Sequence, residues 1–402
     1  MSAKIAHCVS LKNVINYYMC GTCIYYCVLW EKGICVVAGK FVWRKFSSVD
    51  LNDRFFDSLK ADYPDFIDWF RKKQITNKDA LVYSDDKGVG AFLYLKRENV
   101  AGDCSPLIVN GVALPNIPRL KIGTLRLAER IRKQRLGEGA LGVSLWFWRE
   151  TQYDEVYVTI FEKHKELIRL FERFGFTNIG KNHRGECVYL KSRKSLDYSD
   201  PYKSFPFISS SFEAAGLLPI NDFFHDRLFP YSELVGNNSE IVEATAGNGI
   251  TKVFLAAPYS PPAYKVGMPI FIYRKFTGNG QKAYKSVITS YCTISKIDII
   301  KSNQIAYVTL DDYLQQIGNK SVYTVAELTD LYRQKSNLIA IELVYNGYFG
   351  KGHNVIFKDL KEQGLFEDYP YNIIYNRKQF LKILEMGDVD VQNTIINQSY
   401  IC

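Results

Sequence analysis

The chain has 402 residues, of which 47% are hydrophobic, 23% charged and 14% aromatic. That length accommodates two or three domains with cores of their own, and that composition excludes a disordered chain. Lys and Arg number 51 against 42 acidic residues, a net charge of +9, which permits a polyanionic partner without demanding one. No run approaches the ~18 apolar residues of a membrane span. The N-terminus lacks an apolar stretch ending in a small-residue cleavage site, so the sequence predicts a cytoplasmic chain with no membrane partner.

In chain order, residues 1–40 read as a Cys-rich extension. It holds five of the nine Cys: Cys8, Cys20, Cys23, Cys27 and Cys35. An odd total with no secretory signal argues for reduced thiols. Cys20, Cys23, Cys27 and Cys35 suggest zinc, and Cys20 with Cys23 a redox pair. The spacing lacks a second C-x2-C pair, so inert thiols are the simpler reading and no metal is assigned.

Residues 41–190 read as one compact unit. A strand at 41–43 precedes helix over 53–73, where Phe55, Leu59, Phe66, Trp69 and Phe70 recur at helical spacing and Pro64 marks a break. Strands at 81–84 and 91–96 flank Asp85-Asp86-Lys87-Gly88, a hairpin turn signal. After an irregular stretch at 101–118 come a strand at 120–127, a helix at 137–150, a strand at 154–161, a helix at 163–174 and a strand at 185–190. Strands alternating with helices predict an α/β (α+β) mixed sheet flanked by helices. Residues 191–213 are rich in Ser, Pro and charge and read as a linker. Residues 214–388 read as a β-rich second domain, with strands at 252–255, 270–273, 287–299 and 338–343 and helices at 325–334 and 377–385. Residues 389–402 form a C-terminal tail.

Gln134-Arg135-Leu136-Gly137-Glu138-Gly139 has the form Q-x-x-G-x-G, follows a strand and opens a helix. Small residues let the backbone approach a phosphate, and N–H groups at a helix start point outward with the positive end of the dipole. Arg132, Lys133 and Arg135 add cationic charge. A strand and then HKELIRLFERFGF, from His164 to Phe176, follow. This order resembles the GNAT family of acetyl-CoA-dependent N-acyltransferases over roughly residues 41–190.

The resemblance implies acetyl-CoA in a splayed gap between two central strands. Its pyrophosphate would rest on residues 132–139, and its pantetheine would pair with the strand edge at Leu125, Arg126 and Leu127. A backbone N–H there would polarise the thioester carbonyl. The family's helix reads L-Y-x-x-x-G-F and its Tyr is the favoured general acid. Here that position is Phe171, which cannot donate a proton, and residues 128–133 lengthen the approach to the loop. Proton transfer then falls to other groups: His164 or Tyr157 as acid, and Glu155 as base.

In the second half, Lys265-Val266-Gly267-Met268-Pro269-Ile270-Phe271-Ile272-Tyr273 and the following strand-rich stretch resemble the PUA-like β-barrels, which include the ASCH and EVE subfamilies, over about 214–388. Met268 stands where those barrels carry Asp, and the ASCH G-x-K-x-x-E-x-R signature is absent. The resemblance implies binding of RNA or modified bases, with aromatics stacking on bases and Lys or Arg on phosphate. Tyr273, Arg274, Lys275, Lys282, Tyr284 and Lys285 are the candidates. Tyr345-Asn346-Gly347-Tyr348 is either a second lining segment or a turn. His225-Asp226-Arg227 reads as an interdomain salt-bridged turn, since no nucleophile is placed beside it.

The two resemblances together imply an acetyltransferase acting on a primary amine of an RNA, an aminoacyl-tRNA or a nucleic-acid-associated protein. GNAT proteins of this class include toxins of toxin–antitoxin pairs, so a toxin or defence role with an antitoxin partner belongs to the expectation. Two rivals stand beside it: a catalytically weak CoA sensor or scaffold whose barrel does the work, and a protein lysine or small-amine acetyltransferase with no affinity for RNA.

Overall fold

A computed structural model describes residues 41–99, 106–232, 234, 245–258 and 262–396. The Cys-rich extension, with the zinc and redox readings of Cys20, Cys23, Cys27 and Cys35, lies outside the described residues.

The first sheet has seven strands: β1 (Phe41–Lys45), β2 (Asp79–Asp85), β3 (Gly88–Glu98), β4 (Arg119–Leu127), β5 (Glu155–Ile160), β6 (Thr177–Lys181) and β7 (Cys187–Ser192). Their order is β1-β2-β3-β4-β5-β7-β6, and only β4 and β5 run parallel. Helices α1 (Asp57–Asp62) and α2 (Phe66–Ile75) cover one face through an aromatic cluster of Phe46, Phe56, Phe70 and Phe92. They separate at Pro64, as the sequence predicts, because proline has no N–H for the helix ladder. Helices α3 (Leu136–Thr151) and α4 (Lys165–Arg173) cover the other face. Side-chain alternation in β5 sorts the two faces: Val156, Val158 and Ile160 meet the helices, whereas Tyr157 packs oppositely with Leu107, Val109 and Val188.

The second sheet contains β8 (Ala214–Asn221), β9 (Thr251–Ala256), β10 (Pro269–Lys275), β11 (Val287–Ser302), β12 (Leu338–Tyr348) and β13 (Ile374–Asn376), in the order β9-β12-β11-β10-β8-β13. The sequence predicts a barrel; among the described residues this hydrogen-bonded path does not close. Helix α5 (Asp222–Leu228) and strands β8 and β9 instead line a cavity of about 150 Å³ that includes Phe224, Phe254, Tyr323 and Tyr371. Helices α6 (Leu310–Ile317), α7 (Val325–Gln334), α8 (Phe357–Glu362) and α9 (Arg377–Met386) make this half more helical than its sequence suggests.

Helix α3 joins the halves. Its sequence, LGEGALGVSLWFWRET, is apolar nearly all round, and such a helix is stable only when buried on every side. One core cluster contains Leu141, Leu145 and Trp148 of α3, Ile122 and Val158 of the first sheet, and Ile272, Ile294 and Ile341 of the second. Gly142 abuts Ile250 so closely that a β-carbon would collide with it. The Trp146 indole donates to the Asn346 carbonyl at 2.8 Å, and Arg149 donates to the Tyr291 hydroxyl at 2.9 Å.

Two stretches differ from expectation. The segment at 191–213 is packed, with Tyr202, Phe205, Phe207 and Ile208 buried, so its aromatics outweigh its Ser and Pro content. The Lys191 ammonium is also buried and donates to the carbonyls of Phe174 and Phe205, both at 2.6 Å. The described part of the tail is equally tied down: Ile395 pairs with Ile208, and Asn393 donates to the Arg149 carbonyl at 2.6 Å. No helix among the described residues is long and apolar enough to cross a membrane.

Candidate active site

Strands β4 and β5 pair from Arg119↔Glu155 to Ile122↔Val158 and then part. Each keeps its outer neighbour beyond that point: β4 stays on β3 to Leu127↔Ala91, and β5 stays on β7 to Ile160↔Cys187. The register of β4 on β3 steps from Ile122 to Thr124, leaving Gly123 unmatched, and such a bulge bends and twists a strand. The result is the splayed gap that the resemblance implies. Residues 123–127, with Leu125, Arg126 and Leu127 half-buried, face it with a strand edge that β5 does not pair.

Helix α3 begins beside the gap. No side chain caps it, and the ladder starts with Gly139 N–H donating to the Arg135 carbonyl. The amides of Leu136, Gly137 and Glu138 therefore lack helical acceptors, with Leu136 buried and Gly137 and Glu138 partly exposed, and free amides at a helix start can cradle an anion. The atoms nearest a β-carbon at Gly137 would be those of Leu127 and Leu170, at 3.7–3.9 Å, so Gly137 lies between β4 and α4 with room for a small side chain. These groups fit a pyrophosphate with an extended thiol-bearing arm.

The other loop residues divide. Arg132 and Lys133 are exposed. Arg135 points inward: its Nη2 donates to Glu138 Oε2 at 2.7 Å, with both side chains nearly buried. Glu138 Oε1 accepts from the Thr251 amide at 2.7 Å and hydroxyl at 2.6 Å. These charged and polar neighbours hold its carboxyl below the usual range against the burial that would raise it. Gly139 is small for a different reason from the expected one: a β-carbon there would strike the Asn248 carbonyl. Arg135 and Gly139 thus serve the packing of the halves, where the sequence reading gave them to phosphate.

Of the expected proton-transfer groups, His164 lies just before α4, half-exposed, with Nε2 4.0 Å from Asp62 Oδ2. Burial, Lys163 and Arg126 lower its pKa, with Asp62 opposing, which favours the neutral imidazole. Tyr157 is buried on the opposite face of the sheet and its hydroxyl donates to Glu98, with the Lys121 ammonium 5.4 Å from its ring centroid. That hydroxyl is already engaged. Glu155 is the ion-pair partner of Arg119 at the closed end of the β4–β5 pair and does not face the gap. Phe171 is fully buried against Phe176.

Arg126, expected only as part of the strand edge, lies 4.9 Å from the Phe55 ring centroid, and its Nη1 has no hydrogen-bond partner among the described residues. Sequence reasoning missed several other groups around the α1–α2 side. Tyr63 donates to Glu186 at 2.7 Å, and Arg184 grips Asp65 at 2.8 and 3.2 Å, bridging the α1–α2 turn to the β6–β7 hairpin. Burial lowers the pKa of Lys121. Lys121 standing between the apolar Leu120 and Ile122 was the available signal.

In the second half, Tyr273 and Arg274 are buried and cannot receive a base or phosphate: Tyr273 packs on Phe366, and Arg274 holds Asp226 at 2.7 and 2.8 Å. Lys275, Lys282, Tyr284 and Lys285 remain exposed, and Lys358 adds a cation over the Tyr284 ring. Tyr345-Asn346-Gly347-Tyr348 is the buried end of β12. His225 and Asp226 sit in α5, and His225 Nε2 lies 2.8 Å from the Thr289 hydroxyl, so a hydroxyl does neighbour it; both are fully buried, and the contacts tie α5 to β10 and β11 within one half.

No family model matches the chain, and no curated protein matches it in sequence. Solved structures similar to it include Ard1 from Thermoplasma volcanium, 15% identical over 38% of this chain and 97% of that one, with a TM-score of 0.27. The ASCH protein from Zymomonas mobilis is 11% identical over 44% and 99%, with a TM-score of 0.28. NAA60 from Arabidopsis thaliana, solved with a bisubstrate analogue, is 14% identical over 38% and 95%, with a TM-score of 0.26. At these identities and scores nothing about function passes from those proteins to this chain.

Proposed function

We propose that the chain is an acetyl-CoA-dependent N-acyltransferase that acetylates a primary amine carried by an RNA, an aminoacyl-tRNA or a nucleic-acid-associated protein. The observation that carries the reading is the parting of β4 and β5 after Ile122↔Val158 beside an uncapped helix start. Bound acetyl-CoA supplies the activated acyl group. The amides of Leu136, Gly137 and Glu138 hold its pyrophosphate, and the free edge of β4 aligns its arm and offers an N–H to the developing oxyanion. The amine attacks the thioester carbonyl, His164 accepts the proton it releases, and the C–S bond breaks to expel the coenzyme A thiolate, which takes its proton from water. The exposed Lys275, Lys282, Tyr284 and Lys285, with Lys358, support a polyanionic partner, which makes nucleic acid the favoured carrier. A toxin or defence role with an antitoxin partner belongs to the same reading.

Calorimetric titration with acetyl-CoA tests the cofactor. Incubation with labelled acetyl-CoA, total RNA, charged tRNA and lysate protein tests the acceptor. Binding with label in an RNA fraction is the expected result. Label only in protein or small amines moves the acceptor to those classes, and absence of binding overturns the reading. A CoA sensor is the second reading, favoured by the buried Phe171 where the resemblance places the acid, and it predicts binding without transfer.

A further inference from the structure

The loop that would hold pyrophosphate is not held by its own half alone. Asn248 Nδ2 donates to the Gln134 carbonyl at 2.9 Å, and Asn319 Nδ2 donates to the Lys133 carbonyl at 2.6 Å. Glu138 takes both hydrogen bonds offered by Thr251. The carbonyl of Asn248 occupies the space that glycine leaves at position 139, and the Arg135 guanidinium fills the corresponding space at Gly249. Lys133 and Arg135 carry positive φ values of 67° and 60°, a backbone shape that L-residues adopt only when surroundings impose it.

We propose that residues 248–251 and Asn319 of the second half position the cofactor loop, so that the second half is a working part of the acetyl-CoA site. This rests on the acyltransferase reading. Four anchor points fix the direction of the free amides at residues 136–138, and an amide cradle binds an anion well only when its N–H groups already converge. The contacts continue inward: the Thr251 hydroxyl meets the Tyr202 hydroxyl at 3.0 Å, and Tyr202 donates to Glu342 at 2.8 Å. Whatever moves residues 248–251 changes cofactor affinity, and cofactor occupancy steadies those residues in return.

The test uses the full chain carrying Asn319→Ala, at an exposed residue, or Thr251→Val, which keeps the side-chain shape and removes one donor. Acetyl-CoA is compared with acetyl-pantetheine, which has no pyrophosphate. In each variant KM for acetyl-CoA rises about five- to tenfold, the lower range of measured site coupling, while KM for acetyl-pantetheine and the melting temperature of Asn319→Ala stay put. An unchanged KM for acetyl-CoA in both variants overturns the proposal. So does an equal loss with both thioesters, since that is general destabilisation. A wild-type chain that binds neither thioester refutes the acyltransferase reading itself, and this is a separate outcome.

Discussion

At the scale of one residue, the proposed proton acceptor is His164. Its imidazole is depressed from its ordinary pKa of 6.5 mainly by burial. The proposed base acts in its neutral form, so kcat/KM rises with pH through a midpoint below 6.5. His164→Asn lowers kcat by about 10²-fold, the low end of general-base contributions, leaves KM for acetyl-CoA unchanged and abolishes the acidic limb. A pH–rate series on both proteins checks this, and survival of the limb in the variant transfers the proton to another group. The motif containing His164 was visible in the sequence, but its protonation was not, because that depends first on how far the fold buries the imidazole. Glu155 shows the converse. Its chemistry suited a base, and only the strand register revealed that it pairs with Arg119 away from the gap.

Among the elements, α3 answers for both the site and the joint between the halves. Its start was legible because glycines, charge and the preceding strand coincide. Its burial by a second sheet was not, because contacts between residues 134–149 and 246–346 leave no local period in the sequence. Gly139 separates the two demands. Gly139→Ala drives a methyl into the Asn248 carbonyl, a backbone atom with little room to yield, and costs about 1–3 kcal/mol as overpacking does. Gly137→Ala meets side chains at ordinary contact distance and leaves stability nearly unchanged, while Gly137→Arg fills the space between β4 and α4 and removes acetyl-CoA binding. Denaturant melts and titrations on the three variants test this division; equal destabilisation by both alanines refutes it. Glu138 makes the joint sensitive to acid. Its folded pKa is depressed, so the unfolded chain binds the extra proton as pH falls, and stability present above the ordinary Glu range is lost on acidification through the folded value. Glu138→Gln leaves the nearly buried Arg135 without its countercharge, costs about 3–5 kcal/mol and flattens that acid slope in urea melts.

Over the whole molecule, the shared core around α3 implies that the two halves unfold together. Strongly coupled halves give one transition by circular dichroism and by tryptophan fluorescence, since Trp146 and Trp148 lie within the shared core. The charge distribution bears on the proposed polyanionic partner. The net charge of +9 says little by itself. The structure removes Arg274 from the expected surface by pairing it with Asp226, but leaves Lys275, Lys282 and Lys285 exposed and brings Lys358 beside Tyr284. Binding carried by phosphate contacts weakens with salt in proportion to the cations engaged, by a slope of about 0.7 per contact for a single strand. Replacing Lys282 and Lys285 with Glu removes two cations and adds two repelling charges. Under the proposed nucleic-acid binding, RNA affinity therefore falls, and the slope of log K against log salt shrinks by at least about 1.4, two contacts at that value. Both lysines are exposed, so acetyl-CoA affinity and the melting transition are unaffected. An unchanged slope places the nucleic-acid surface elsewhere, with the aromatic-lined cavity between β8 and β9 the next face to test.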